Sequence, residues 1–170
     1  SVCSTPTASQ RSTVNSWRDS GCFEFFNHGY DHAYYLPSTG GSATVDLSLG
    51  DDLWNKSYPA GTTYEFQGRP YAEQLDHFTR SQQIIQDTYG FRMRTFGAPF
   101  NKYDSNTTLA VAALGQINVW FFGVASSTVC TPARNGGEIE STPGVPSLST
   151  YTQTHSSTPP VAVLQHHPAN

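Results

Sequence analysis

Phe23-Glu24-Phe25-Phe26-Asn27-His28-Gly29-Tyr30-Asp31-His32 is the stretch whose reading decides the fold. Its first half is a short apolar run dense in Phe, which suits a buried strand. Asn27 and Gly29 then break the run, as turn residues do. A strand is expected over Cys22–Asn27, with His28 and His32 on the loop where it leaves the core. Two imidazoles on one tight loop can converge on a cation. A solvated loop with incidental histidines has the same pattern, so the rest of the chain must decide.

The chain has 170 residues, enough for one domain with a real core. We take 1–170 as a single α/β domain, with excursions from the regular scaffold at about 33–66 and 124–160. Charged residues are only 13%, so the surface depends on Ser, Thr, Gly, Pro and Asn, as is common in secreted proteins. The net charge is -4 and no basic stripe exists, which argues against a nucleic-acid partner. No apolar run reaches membrane-spanning length, and no charged-then-apolar leader opens the chain. The expectation is a soluble, extracellular chain, either mature or a fragment. Cys3, Cys22 and Cys130 match no zinc ribbon or redox pair. One disulfide with one odd cysteine is expected, against the alternative of three reduced, buried thiols.

Ser12–Ser20 reads as a short helix, with Val14 and Trp17 toward the core and Gly21 as its stop. Residues 33–66 lack a period, apart from a possible strand near Ala43–Leu49. The Tyr and Trp side chains there could stack on sugar rings or form a minor core of their own. Pro70–Tyr89 is the clearest helix: Tyr71, Leu75, Phe78, Gln82, Ile85 and Tyr89 fall on one face. Pro70 suits its first position and Gly90 its end, and His77 beside that face reads as structural. Met93–Phe96 is the next strand. A second helix runs from a cap at Asp104 or Ser105 to about Leu114, stopped by Gly115. Ile117–Phe122 and Val161–Gln165 complete the strands. This alternation predicts a parallel sheet covered by helices, either open or closed into a barrel.

The ends of such strands share one rim, where α/β folds place their sites. Here the rim collects Asn27, His28 and His32, then Pro99, Phe100 and Asn101, then Trp120, then Gln165, His166 and His167. Four of the six histidines fall on it. Imidazole ligands point to zinc or another divalent transition metal. A catalytic site needs three protein ligands and an open position. The third is sought among Asp31, Asp51, Asp52 and Asp104, none of which the sequence distinguishes.

Asn27-His28-Gly29-Tyr30-Asp31-His32 resembles the second motif of the polysaccharide deacetylases, the NodB-homology domains of carbohydrate esterase family 4. Arg94-Thr95-Phe96-Gly97-Ala98-Pro99-Phe100-Asn101 resembles the third motif, Gly115–Trp120 the next helix-to-strand junction, and Leu164-Gln165-His166-His167-Pro168 the last motif. The resemblance implies a distorted (β/α) barrel and removal of acetyl groups from a polysaccharide by a metal-dependent hydrolase. It implies His28 and His32 as metal ligands, zinc being favoured. It further implies His167, or its neighbour His166, as the proton donor to the leaving group. Pro99, Phe100, Asn101 and Trp120 would line the substrate site, with Phe100 and Trp120 walling the acetyl pocket. Two departures follow. The family's first motif, an apolar strand ending in Asp-Asp, has no counterpart upstream of residue 22, so the expected strand edge beside residues 22–27 is unpaired. The third motif's usual Arg falls on Gly97. The chain is thus expected to be a fragment or a degenerate domain, with a non-catalytic carbohydrate-binding module on the same scaffold as the alternative.

Overall fold

Pro70 cannot donate a backbone hydrogen bond, and its fixed φ suits the start of a helix. In the computed structural model it caps helix α2, Tyr71–Tyr89, and Gly90 ends that helix in the left-handed conformation at φ 81°. The structure describes residues 5–21, 23–37 and 58–132, with the strands at 42–44, 140–142 and 145–146. The other elements are helix α1 (Ala8–Asp19), strands β1 (Phe26–Asn27), β2 (Ala33–Tyr35), β3 (Ser42–Thr44), β4 (Thr63–Tyr64) and β5 (Thr95–Gly97), helix α3 (Ser105–Leu114), and strands β6 (Val119–Phe121), β7 (Glu140–Thr142) and β8 (Val145–Pro146). A single 3-10 turn at Pro99–Asn101 follows β5.

The fold is mixed α/β. Strands β1, β5 and β6 form a parallel sheet in that order, pairing Asn27 with Phe96 and Phe96 with Trp120. The expected parallel sheet is present, but no closed barrel is seen among the described residues. The outer edge of β1 has no strand partner among them either. A cavity of about 510 Å³ lies beside it, lined by Val14, Phe26, Tyr30, Ile84, Phe91 and His28 among others. The described parts of residues 33–66 hold strands that their lack of period does not suggest. There β2 pairs antiparallel with β3 and with β4. Asp51, Asp52, Trp54 and the expected strand at Val161–Gln165 lie outside the described residues.

The core is aromatic. Phe66, Phe78, Phe96 and Trp120 are all at most 1% exposed. Phe78 lies 4.5 Å from both Phe66 and Phe96, ring centre to ring centre. Burying each such ring stabilises by about 2–3 kcal/mol. The buried face of α2 is Gln74, Phe78, Ser81 and Gln82, rotated from the apolar face expected. Its polar members are buried because each has a partner. The Gln82 amide exchanges hydrogen bonds with the Met93 backbone at 2.7 and 3.0 Å, much as a neighbouring strand would. Gln74 donates to Arg69 O and to Asp104 Oδ1.

Other expectations are corrected. Helix α1 starts earlier than Ser12, at a Thr7–Gln10 capping box, and buries no residue. Trp17 is 46% exposed and packs its ring on Phe23, not into the core. The first strand is shorter than Cys22–Asn27. Pairing needs a neighbour, and β1 has one only along Phe26–Asn27. Cys130 is free and exposed, its backbone bridging to Val119 beside β6. Cys3 and Cys22 lie outside the described residues. No helix among the described residues is long and apolar enough to cross a membrane.

Candidate functional site

All three parallel strands run out at the same rim, and each is followed by a non-glycine residue with positive φ. These are His32 at 53° after β1, Phe100 and Asn101 at 58° and 54° after β5, and Phe122 at 60° after β6. Side-chain-bearing residues avoid this region, and such strain gathers at functional sites.

The two histidines of the first loop face each other, their ring centres 5.0 Å apart. The Gly97 carbonyl oxygen lies 2.8 Å from His28 Nδ1. A carbonyl only accepts, so Nδ1 carries a proton, and Nε2 is the nitrogen that can offer a lone pair. Burial, then the neighbouring His28, pushes the His32 imidazole down to about 4, only partly opposed by a backbone hydrogen bond and Asp31. His32 is therefore a neutral base at ordinary pH. The Phe100 ring lies 4.6 Å from that of His32. Asn27 is fully buried. Its amide donates to Ser81 Oγ at 2.7 Å on α2, while its oxygen accepts the Gly29 N–H at 2.9 Å. Asn27 thus does more than end a strand, since it ties the loop to the helix.

Behind the loop lies a residue that the sequence does not single out. Glu65 is 1% exposed. Its Oε1 accepts the N–H of Tyr30 at 2.5 Å and of Asp31 at 3.4 Å, and its Oε2 accepts that of His32 at 2.9 Å. His77 Nδ1 lies 3.2 Å from Oε1. That hydrogen bond raises the pKa of His77 above its usual 6.5 against the opposing effect of burial, which favours the protonated ring. Tyr64-Glu65-Phe66 are buried in succession. Alternation along a strand would have put Glu65 outward, which is why its role is not legible.

Asp31, Glu65 and His77 each offer one ligand-type atom, all within 4.8 Å of one another, a set that could hold a metal ion. Its donors are already engaged: Glu65 by the four contacts above, and Asp31 Oδ1 by the Ala33 N–H at 3.0 Å. His28 and His32 each offer a ring nitrogen, and the His28 ring is oriented by a backbone carbonyl, as zinc-binding histidines commonly are.

The remaining predicted residues divide. Pro99 is buried, Phe100 half-buried beside His32, and Asn101 exposed. Trp120 is 1% exposed, its ring packed on Phe96 and Tyr103 at 5.6 and 5.0 Å. It is a core residue in this arrangement, because β6 turns it inward between helix and sheet. Asp104 is not a free ligand candidate. Its oxygens accept from Asn106 N and Thr107 N, which caps α3, and from Gly68 N and Gln74 Nε2. Asp51, Asp52, His166 and His167 lie outside the described residues.

No curated protein matches the chain. Among solved structures, the deacetylase domain of BpsB from Bordetella bronchiseptica is similar at 15% identity and a TM-score of 0.43. A de-N-acetylase from Aggregatibacter actinomycetemcomitans is similar at 17% identity and a TM-score of 0.42. Each match covers 66% of this chain but 40% of the other, so the chain spans less than half their length. The polysaccharide deacetylase family model matches residues 2–119, a stretch that holds both histidines of the loop, Glu65, His77 and the Pro99–Asn101 turn. The chain belongs to the polysaccharide deacetylase family.

Proposed function

We propose that the protein is a metal-dependent hydrolase that removes acetyl groups from a polysaccharide. The observation that supports it most is the facing pair His28 and His32, within the family-matched stretch and beside the Phe100 turn. A divalent metal, zinc for preference, would be held by these two imidazoles and would supply Lewis acidity and an acidified water. Gly97 O orients the His28 ring. Phe100 places an apolar ring beside His32, where it can pack on an acetyl methyl and exclude water. Asn101 offers an amide to sugar hydroxyls. His167, or His166, donates the proton to the leaving oxygen or nitrogen.

One observation favours a second reading, glycan binding without turnover. Gly97 stands where the family's third motif has Arg, and a Cβ there would sit 3.5 Å from the Phe26 ring. Acetate release from an acetylated glycan, with cobalt binding followed in parallel, separates the two. Turnover that a chelator abolishes and cobalt restores, and that His28→Ala loses, is expected. Glycan binding with no acetate release establishes the second reading. Chelator-resistant turnover by His28→Ala overturns the metal reading.

A further inference from the structure

We infer that Glu65 is the positioning residue of the His28–His32 loop, an internal anion on which the loop's backbone is moulded. The inference rests on the reading of His28 and His32 as metal ligands.

Three successive backbone N–H groups, those of Tyr30, Asp31 and His32, converge on the one carboxylate. Consecutive N–H groups pointing inward form a nest, a concavity that binds anions. In most nests the anion is a ligand, whereas here it is a side chain of the same molecule with 0% of its surface exposed. The nest is bracketed by the two left-handed residues of the loop, Gly29 at φ 90° and His32 at φ 53°. The conformation that sends the His32 ring toward His28 is therefore the one that the carboxylate holds. Gly29 lies so close to the Glu65 carboxylate that a Cβ would collide with it. His77, on α2, donates to Oε1 of the same carboxylate, and Asp31 Oδ1 lies 3.9 Å from His77 Nδ1. The loop is thus backed by the helix through a chain of charge-assisted contacts. Removing the groups that orient metal ligands commonly costs 10–100-fold in metal affinity.

Glu65→Gln keeps the volume but has one accepting oxygen and one NH2, so either the Tyr30 or the His32 N–H must face a donor. Amide hydrogen exchange at Tyr30 and His32 should speed up by about tenfold or more, while core amides such as Phe96 do not change. Cobalt affinity should fall about 10–100-fold, with an altered d–d spectrum. A role in general stability alone would lower the melting temperature and leave the spectrum as in the wild type. His77→Gln keeps the carboxylate and removes one of its four contacts, so it should perturb the cobalt spectrum less than Glu65→Gln does. Loss of cobalt binding in His77→Gln but not in His28→Ala would place the metal on Asp31, Glu65 and His77 and overturn the inference. If the wild type binds no cobalt, the metal reading fails, and the exchange data still decide whether Glu65 holds the loop. Should Glu65→Gln not fold, the wild type suffices: Tyr30 and His32 amides exchanging as in a free loop refute it.

Discussion

Replacing Gly29 by Ala separates two costs that usually arrive together. Gly29 has φ 90°, where an L-residue is strained by about 1–2 kcal/mol. A Cβ there also meets the Glu65 carboxylate, which is pinned by hydrogen bonds from Tyr30, Asp31, His32 and His77 and cannot swing aside without losing some of them. Losing one charge-assisted hydrogen bond costs about 1.5–3 kcal/mol. Gly29→Ala should therefore cost about 2.5–5 kcal/mol, a large share of the ~5–15 kcal/mol that stabilises a typical domain. Gly90 is the control. Its φ is 81°, but nothing lies within 4 Å of the place where its Cβ would go. Gly90→Ala should cost only the strain, about 1–2 kcal/mol. Urea unfolding followed by tryptophan fluorescence reads both, since Trp120 is buried in the core. If the two variants lose the same stability at unchanged slope, the carboxylate does not hold the loop and the reasoning fails.

Asp104→Ala removes both the cap of α3 and the tie to Gly68 and Gln74, and should cost about 2–3 kcal/mol by chemical denaturation, with Asp104→Asn recovering part of it. Burial raises the Asp104 pKa, but hydrogen bonds from Gly68, Gln74, Thr107 and Asn106 outweigh it and hold it below 3.8. Its contribution is therefore present above the unfolded pKa and lost as pH falls through the folded one, an acid limb that the Ala variant should lack. His77 titrates with the opposite sign. Its pKa is raised, chiefly by Glu65, so its contribution is full below pH 6.5 and is lost as pH rises through the folded value. Stability of the metal-free protein should decline on that alkaline side, and His77→Gln should flatten the slope.

Elements with their own punctuation were legible in the sequence. Helix α2 lies between Pro70 and Gly90, and α3 between Asp104 and Gly115, because caps and stops act locally. The positions of the three parallel strands were legible, but their ends were not, and β2 and β4 were not anticipated. An apolar run shows that a segment can be buried, whereas pairing depends on a neighbour supplied from far along the chain. The loop histidines were legible as a pair because both lie on one short turn. Glu65 and His77 were not read as parts of the site. His77 occupies an ordinary helical position, and Glu65 follows Tyr64 in a segment without period. What gives them a role is the backbone of a loop more than thirty residues upstream.

The separation along the chain has a kinetic consequence. His28 meets Gly97 across 69 residues, and Tyr30 meets Glu65 across 35. Helices α2 and α3 form their turns from near neighbours and can pack early. Closing long segments costs entropy before any contact is made. The histidine loop is therefore expected to be assembled after the transition state and to open first. Substitutions at Gly29 or Glu65 should then steepen unfolding and leave the refolding rate nearly unchanged in stopped-flow experiments. The lifetime of the assembled loop, more than its rate of formation, is what Glu65 would set.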